Sequence, residues 1–114
     1  MQKIDRLGTH ILLDLTGVDF VLLDEMDGFV NWMEGVLHDY ECEVLGVQSH
    51  KFQPQGFTAV YMLSESHFSI HTWPEKGAAA CDIFTCGVSD TQAIANEVLR
   101  WFMPINYNLK KITR

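Results

Sequence analysis

Four β-like runs follow one another between residues 42 and 85, and their close spacing limits the fold more than any other feature of the chain. They cover 42–52, 57–63, 67–73 and 79–85, and Pro54 to Gly56 separates the first from the second. Connections this short join antiparallel neighbours, because a parallel pair needs a crossover of about a dozen residues or more. The run Ala59-Val60-Tyr61-Met62-Leu63 is mostly apolar, so it reads as a strand covered on both faces. His67-Phe68-Ser69-Ile70-His71 alternates, which places the two histidines on one face and Phe68 with Ile70 on the other.

Helical patterns flank this block. Over 20–40, residues Val21, Leu22, Met26, Phe29, Val30, Met33 and Leu37 recur at three- and four-residue steps and make one apolar face, with Asp19 placed to cap its start. Trp32 joins Phe29 and Met33 in the helix core, while Asp24, Glu25 and Asp27 read as a solvated face. A second helix is expected over 90–102, stopped by Pro104. Residues 10–16 read as an opening strand closed by Gly17, and INYNLKKI as a last strand. The fold class is therefore α+β: a two-layer α/β sandwich, an antiparallel sheet with two helices on one face. The other sheet face needs a cover, and a partner subunit is the natural one.

With 114 residues the chain forms one domain, 1–114. A formal charge of −7 disfavours nucleic acid and anionic membranes as partners, since both need a basic footprint. No stretch is long and apolar enough to span a bilayer, and Asp14 interrupts the only N-terminal run that resembles a signal peptide. Cys42, Cys81 and Cys86 are an odd number without a CxxC pair, which argues against a disulfide framework and for a reducing, cytoplasmic setting.

The stretch from Ser64 to Glu75 holds three serines, two histidines and two carboxylates in twelve positions. Its residues allow several readings. His67 and His71 have the spacing of a helical metal pair, but on a strand they stand roughly 13 Å apart, too far for one ion, so no metal is expected. Ser66 or Cys86 is a possible nucleophile, with His71 or His67 as its base. Taken singly, Phe52 reads as core, Glu75 as a solvated turn residue and Cys86 as a small buried residue. Cys42 and Cys81 read as packing.

SESHFSIHTWPEKGAAACDIFTCG, residues 64–87, resembles the signature of the small bacterial and archaeal S-adenosylmethionine decarboxylases. The match includes Glu65, Ser66, His67, Ile70, His71, Pro74, Glu75, Gly77, Asp82, Thr85, Cys86 and Gly87. LGTHILLDL (7–15) resembles the family's opening strand, and HKFQPQGFTAV (50–60) the strand pair before the cut. The resemblance implies a proenzyme that cuts itself between Glu65 and Ser66, giving a β chain of 1–65 and an α chain of 66–114. In that chemistry the Ser66 hydroxyl attacks the Glu65 carbonyl, and the ester so formed is eliminated. Hydrolysis of the resulting dehydroalanine leaves a covalent pyruvoyl group and ammonia. His71 matches the residue that transfers protons during processing, and Thr58 the position of a serine that assists it. The pyruvoyl group derived from Ser66 forms a Schiff base with the substrate amine, and Cys86 matches the proton donor. Phe52 matches an aromatic that stacks on adenine, and Glu75 a carboxylate that binds ribose hydroxyls. Family sites lie at a subunit interface, so a homodimer of cleaved protomers is implied.

The chain departs from the family pattern at Thr9, where Arg is frequent, at Ala78, where Tyr is usual, and in a short C-terminus ending at Arg114. These differences fall on the pocket or its rim and leave the self-cleavage residues intact. The implied function is decarboxylation of S-adenosylmethionine for spermidine biosynthesis. Two alternatives stand beside it: pyruvoyl-dependent decarboxylation of a basic amino acid such as ornithine or arginine, and an inactive paralogue that acts as a partner protein.

Overall fold

The computed structural model describes residues 7–87 and 89–114. Strands β1 (Thr9–Thr16), β2 (Val44–Lys51), β3 (Phe57–Leu63), β4 (Ser66–Trp73), β5 (Ala78–Thr85) and β6 (Asn106–Thr113) form one sheet in the order β2-β3-β4-β5-β1-β6. Every neighbouring pair is antiparallel. The hairpin block expected from the short connections is β2 to β5, and β1 pairs between β5 and β6. Helices α1 (Phe20–Asp24), α2 (Met26–Asp39) and α3 (Thr91–Phe102) lie on one face.

Alternation decides which side of each strand meets the helices. Ile11, Leu13 and Leu15 of β1, Phe57, Ala59, Tyr61 and Leu63 of β3, and Phe68 and Ile70 of β4 are buried. Phe29 of α2 is fully buried among them, with its ring 5.3 Å from Phe102, 5.8 Å from Phe57 and 6.3 Å from Phe68. Cys42 and Cys81 are buried in the same core, as packing residues should be.

The opposite face of the sheet is open. β3 is therefore covered on one side only, against the expectation from its apolar run: Val60 is 42% and Met62 59% exposed. These side chains alternate with the buried ones, and all three helices have gone to the other layer.

The single helix expected over 20–40 is two helices meeting at Glu25, and Val21 stays exposed. Asp19 caps α1 as expected, its carboxylate accepting from Val21 N at 2.9 Å. The break has a tertiary cause. Thr72 of β4 donates its hydroxyl to the Leu23 carbonyl at 2.8 Å, the group that a continuous helix would offer to residue 27. The Asp24 carboxylate meanwhile turns outward to accept from Gly56 N at 2.9 Å and pairs with Lys51 Nζ at 2.7 Å. Asp24 is thus a half-buried anchor and not part of a solvated face.

Candidate active site in two halves

The turn between β3 and β4 carries the first half. Leu63 pairs with Ser66, so Ser64 and Glu65 form a two-residue hairpin turn. Glu65 has φ of +63°, a left-handed backbone usually reserved for glycine. Holding a larger residue there costs on the order of 1 kcal/mol. Cys86 follows β5 directly and folds over this turn. Its thiol donates to the Glu65 carbonyl at 3.5 Å, and its sulfur lies 3.8 Å from the Ser66 hydroxyl. Glu65, Ser66 and Cys86 thus line one cleft of about 370 Å³.

The second half lies at the other end of the same strands. Thr58 and His71 are direct cross-strand partners on the open face. Thr58 Oγ1 is 2.8 Å from His71 Nδ1, which orients the ring and leaves Nε2 for proton exchange. Phe52, Glu75, Thr58 and His71 line a cleft of about 340 Å³. Phe52 is 45% exposed and packs edge-on against His50, with ring centroids 4.8 Å apart. Its exposure departs from the core role that its residue type suggests and leaves the ring face available. Glu75 is exposed, and Gln55 donates to its Oε1 at 3.3 Å.

The turn under Phe52 is built by residues that sequence reasoning did not single out for the site. Phe52 N donates to the Gly56 carbonyl at 2.8 Å, and Gly56 N donates to Asp24. Gly56 has φ of +96°, and a Cβ there would sit 3.0 Å from the Thr72 carbonyl, so only glycine fits without strain. The hydrogen bond and charge of Lys51, with the Gly56 amide, hold the Asp24 carboxyl below its usual range. No local pattern in the sequence marks this clamp, because its partners are 27 and 32 positions from Asp24, at Lys51 and Gly56.

All seven expected site residues therefore border one of two clefts, but no single cleft holds them all. Ser66 and His71 are five positions apart on β4. At about 3.3 Å per residue, that spacing sets them roughly 16 Å apart. A carbonyl, a hydroxyl and a thiol converge in one half, and an oriented imidazole, a carboxylate and an aromatic face in the other.

A third cluster occupies the open face between the halves. Asp82 accepts from Ser69 through Oδ1 and lies beside the Nε2 atoms of His10 and His67 through Oδ2. Burial pushes its carboxyl up, but the bonds from Ser69, His10 and His67 outweigh burial and hold it below the ordinary value. Beneath it, burial pushes the Cys81 thiol well up, with the Asp82 and Asp14 charges adding to the effect, so Cys81 stays protonated and inert.

Comparison with known proteins gives one answer at every level. The family model for S-adenosylmethionine decarboxylase matches residues 9–114. An S-adenosylmethionine decarboxylase proenzyme of Methanococcus maripaludis is 48% identical over 82 residues, covering 72% of this chain and 67% of its own. An S-adenosylmethionine decarboxylase proenzyme 2 of Bacillus cereus is 41% identical over 115 residues, covering 99% of this chain and 93% of its own. The crystal structure of the adenosylmethionine decarboxylase from Aquifex aeolicus superposes with a TM-score of 0.88 at 32% identity, over 97% of this chain and 92% of that one. The Trypanosoma brucei enzyme shares the fold, with a TM-score of 0.66 at 16% identity over 89% of this chain and 44% of that one. With the family model matched over nearly all of its length and a relative aligned end to end, the chain belongs to the S-adenosylmethionine decarboxylase family.

Proposed function

We propose that this protein is a self-processing, pyruvoyl-dependent decarboxylase of S-adenosylmethionine that supplies the aminopropyl donor for spermidine biosynthesis. The observation that carries the reading is the hairpin tip: Ser66 follows a left-handed Glu65 whose carbonyl accepts from the Cys86 thiol at 3.5 Å. A donor on that carbonyl makes a poor electrophile more reactive, and the constrained turn raises the starting energy of the bond to be cut. The Ser66 hydroxyl adds to the Glu65 carbonyl carbon, and the Ser66 nitrogen leaves, giving an ester. His71, oriented by Thr58, removes the Ser66 Cα proton, and the Glu65 carboxylate leaves. Water then releases ammonia from residue 66, and chains 1–65 and 66–114 result. The donor set around residue 66 fits a pyruvoyl group, since Cys86 Sγ lies 3.8 Å from Ser66 Oγ, beside the atoms that would become that group. The pyruvoyl carbonyl supplies the electron sink that decarboxylation of an α-amino acid requires. Cys86 holds the proton that replaces the departing CO₂. Phe52 offers its ring to adenine, and Glu75 accepts from the ribose hydroxyls.

His71 is too far from Ser66 to serve its own chain, so the working unit is a homodimer. A twofold axis between two open sheet faces and across the strands sets the Ser66 end of one β4 over the His71 end of the other. Packed sheets stand about 10 Å apart, a gap that side chains from both can bridge. Each dimer then has two complete sites. The exposed Val60 and Met62 fall inside this contact.

Intact mass of the purified protein under denaturing conditions tests the processing. Two fragments are expected, the C-terminal one lighter than simple hydrolysis gives by one ammonia; a single uncleaved chain overturns the reading. CO₂ release from S-adenosylmethionine, and not from ornithine or arginine, tests the substrate. Co-expression of Ser66→Ala with His71→Ala tests the dimer. Neither variant is cleaved alone, whereas the mixed dimer holds one native site and cleaves its His71→Ala chain. Absence of that cleavage excludes the shared site.

A further inference from the structure

The cluster on the open sheet face does not belong to either cleft. Its three side chains come from adjacent strands of the order β4-β5-β1. Asp82 of β5 stands opposite Ser69 on one side and Leu12 on the other. His67 of β4 and His10 of β1 both stand opposite Phe84, so they flank Asp82 diagonally from either side. The spacing that parts His67 from His71 along a strand is thus irrelevant to this pair, because the neighbour of His67 is His10, two strands away.

The two rings reach the same atom. His10 Nε2 is 3.0 Å and His67 Nε2 is 3.1 Å from Asp82 Oδ2, and all three donor atoms lie within 4.8 Å of one another. Ligands about 2.0–2.1 Å from a zinc ion, at angles between octahedral and tetrahedral, stand about 2.9–3.4 Å apart. The two histidine–carboxylate separations fall in that range without any change of rotamer. Two imidazoles and a carboxylate are also the donor set of three-ligand sites that keep a position open. The other carboxylate oxygen is already held by Ser69, as the outer partner of a metal-binding carboxylate usually is. The side chain of His67 is 42% exposed in the single chain, which gives an ion access from the open face before a second copy covers it.

We propose that His10, His67 and Asp82 form a binding site for a divalent first-row transition ion, with Ser69 positioning the carboxylate. The imidazoles favour zinc or cobalt over magnesium or calcium, which prefer oxygen ligands. A bound ion ties β1, β5 and β4 together across the open face. It takes no part in the chemistry at Ser66, so the site stands or falls independently of the decarboxylase reading.

The test is a cobalt(II) titration of the full chain after removal of metals with a chelator. A saturable visible absorption band at one ion per chain is expected, and zinc should displace it. His67→Gln, at a partly exposed position, should abolish the band while leaving the metal-free circular dichroism and thermal midpoint unchanged. Ser69→Ala should weaken cobalt binding by about 10- to 100-fold. His38→Gln, on the far end of α2, should have no effect. No saturable band, a band that survives His67→Gln, or one that His38→Gln removes equally, overturns the proposal.

Discussion

Cys86 touches both partners of the bond proposed for cleavage, and its two contacts predict different outcomes for different steps. Its thiol supports the Glu65 carbonyl only at 3.5 Å, a long contact, so Cys86→Ala should still cleave, though more slowly. With Cys86 as the proposed proton donor of the decarboxylation step, kcat should fall by about 10²- to 10⁴-fold with KM little changed. Fragment masses and steady-state rates on the same preparation separate the two effects; an unchanged kcat would remove Cys86 from the proton step. Residues of this kind were legible because their type and spacing match a known pattern. The division of the site was not drawn from the sequence, which paired Ser66 with His71 as nucleophile and base, although the strand spacing applied to His67 and His71 separates Ser66 from His71 as well. Asp24 was not legible. Its role depends on Lys51 and Gly56, and nothing near it in the chain distinguishes it from the acidic residues beside it.

At the scale of elements, alternation and turn chemistry located all six strands to within one or two residues, because each strand has one buried face and short turns fix the pairing. The helix over 20–40 shows the limit of periodicity. Its apolar repeat continues through Glu25, but the Thr72 hydroxyl takes the Leu23 carbonyl and ends α1 there. A long-range bond of that sort leaves no periodic trace. Packing of α2 on the sheet rests on Phe29, whose ring meets aromatic neighbours from β3, β4 and α3. Phe29→Ala should destabilise the protein by about 3–5 kcal/mol, a large share of a domain's total stability. Urea unfolding checks this, and a loss below about 1 kcal/mol would mean that the core collapses into the space.

For the whole molecule, pH tolerance should be asymmetric. Tyr61 is buried under α2, and its hydroxyl donates to the Val30 carbonyl at 3.0 Å. Burial, with a smaller contribution from the Glu34 charge, pushes the phenol well above its ordinary value. The unfolded phenol ionises near pH 10, at about its reference value, so the unfolded state loses its proton first. Stability is then full below about pH 10 and falls as pH rises further toward the folded value. Tyr61→Phe should flatten that alkaline decline in denaturation midpoints measured between neutral and strongly alkaline pH; an identical decline in both proteins would assign it elsewhere. The placement of half a site at each end of β4 also has a kinetic consequence under the proposed pairing. A newly made chain holds its own His71 five strand positions from its Ser66, so under that pairing it is inert until it meets a second copy. Maturation is then a bimolecular event, and while dimers are scarce its rate grows with the square of the chain concentration. Slow synthesis would leave long-lived precursor, whereas a burst of synthesis would convert it abruptly. The cell would thus read abundance through the strand itself, before any substrate is bound.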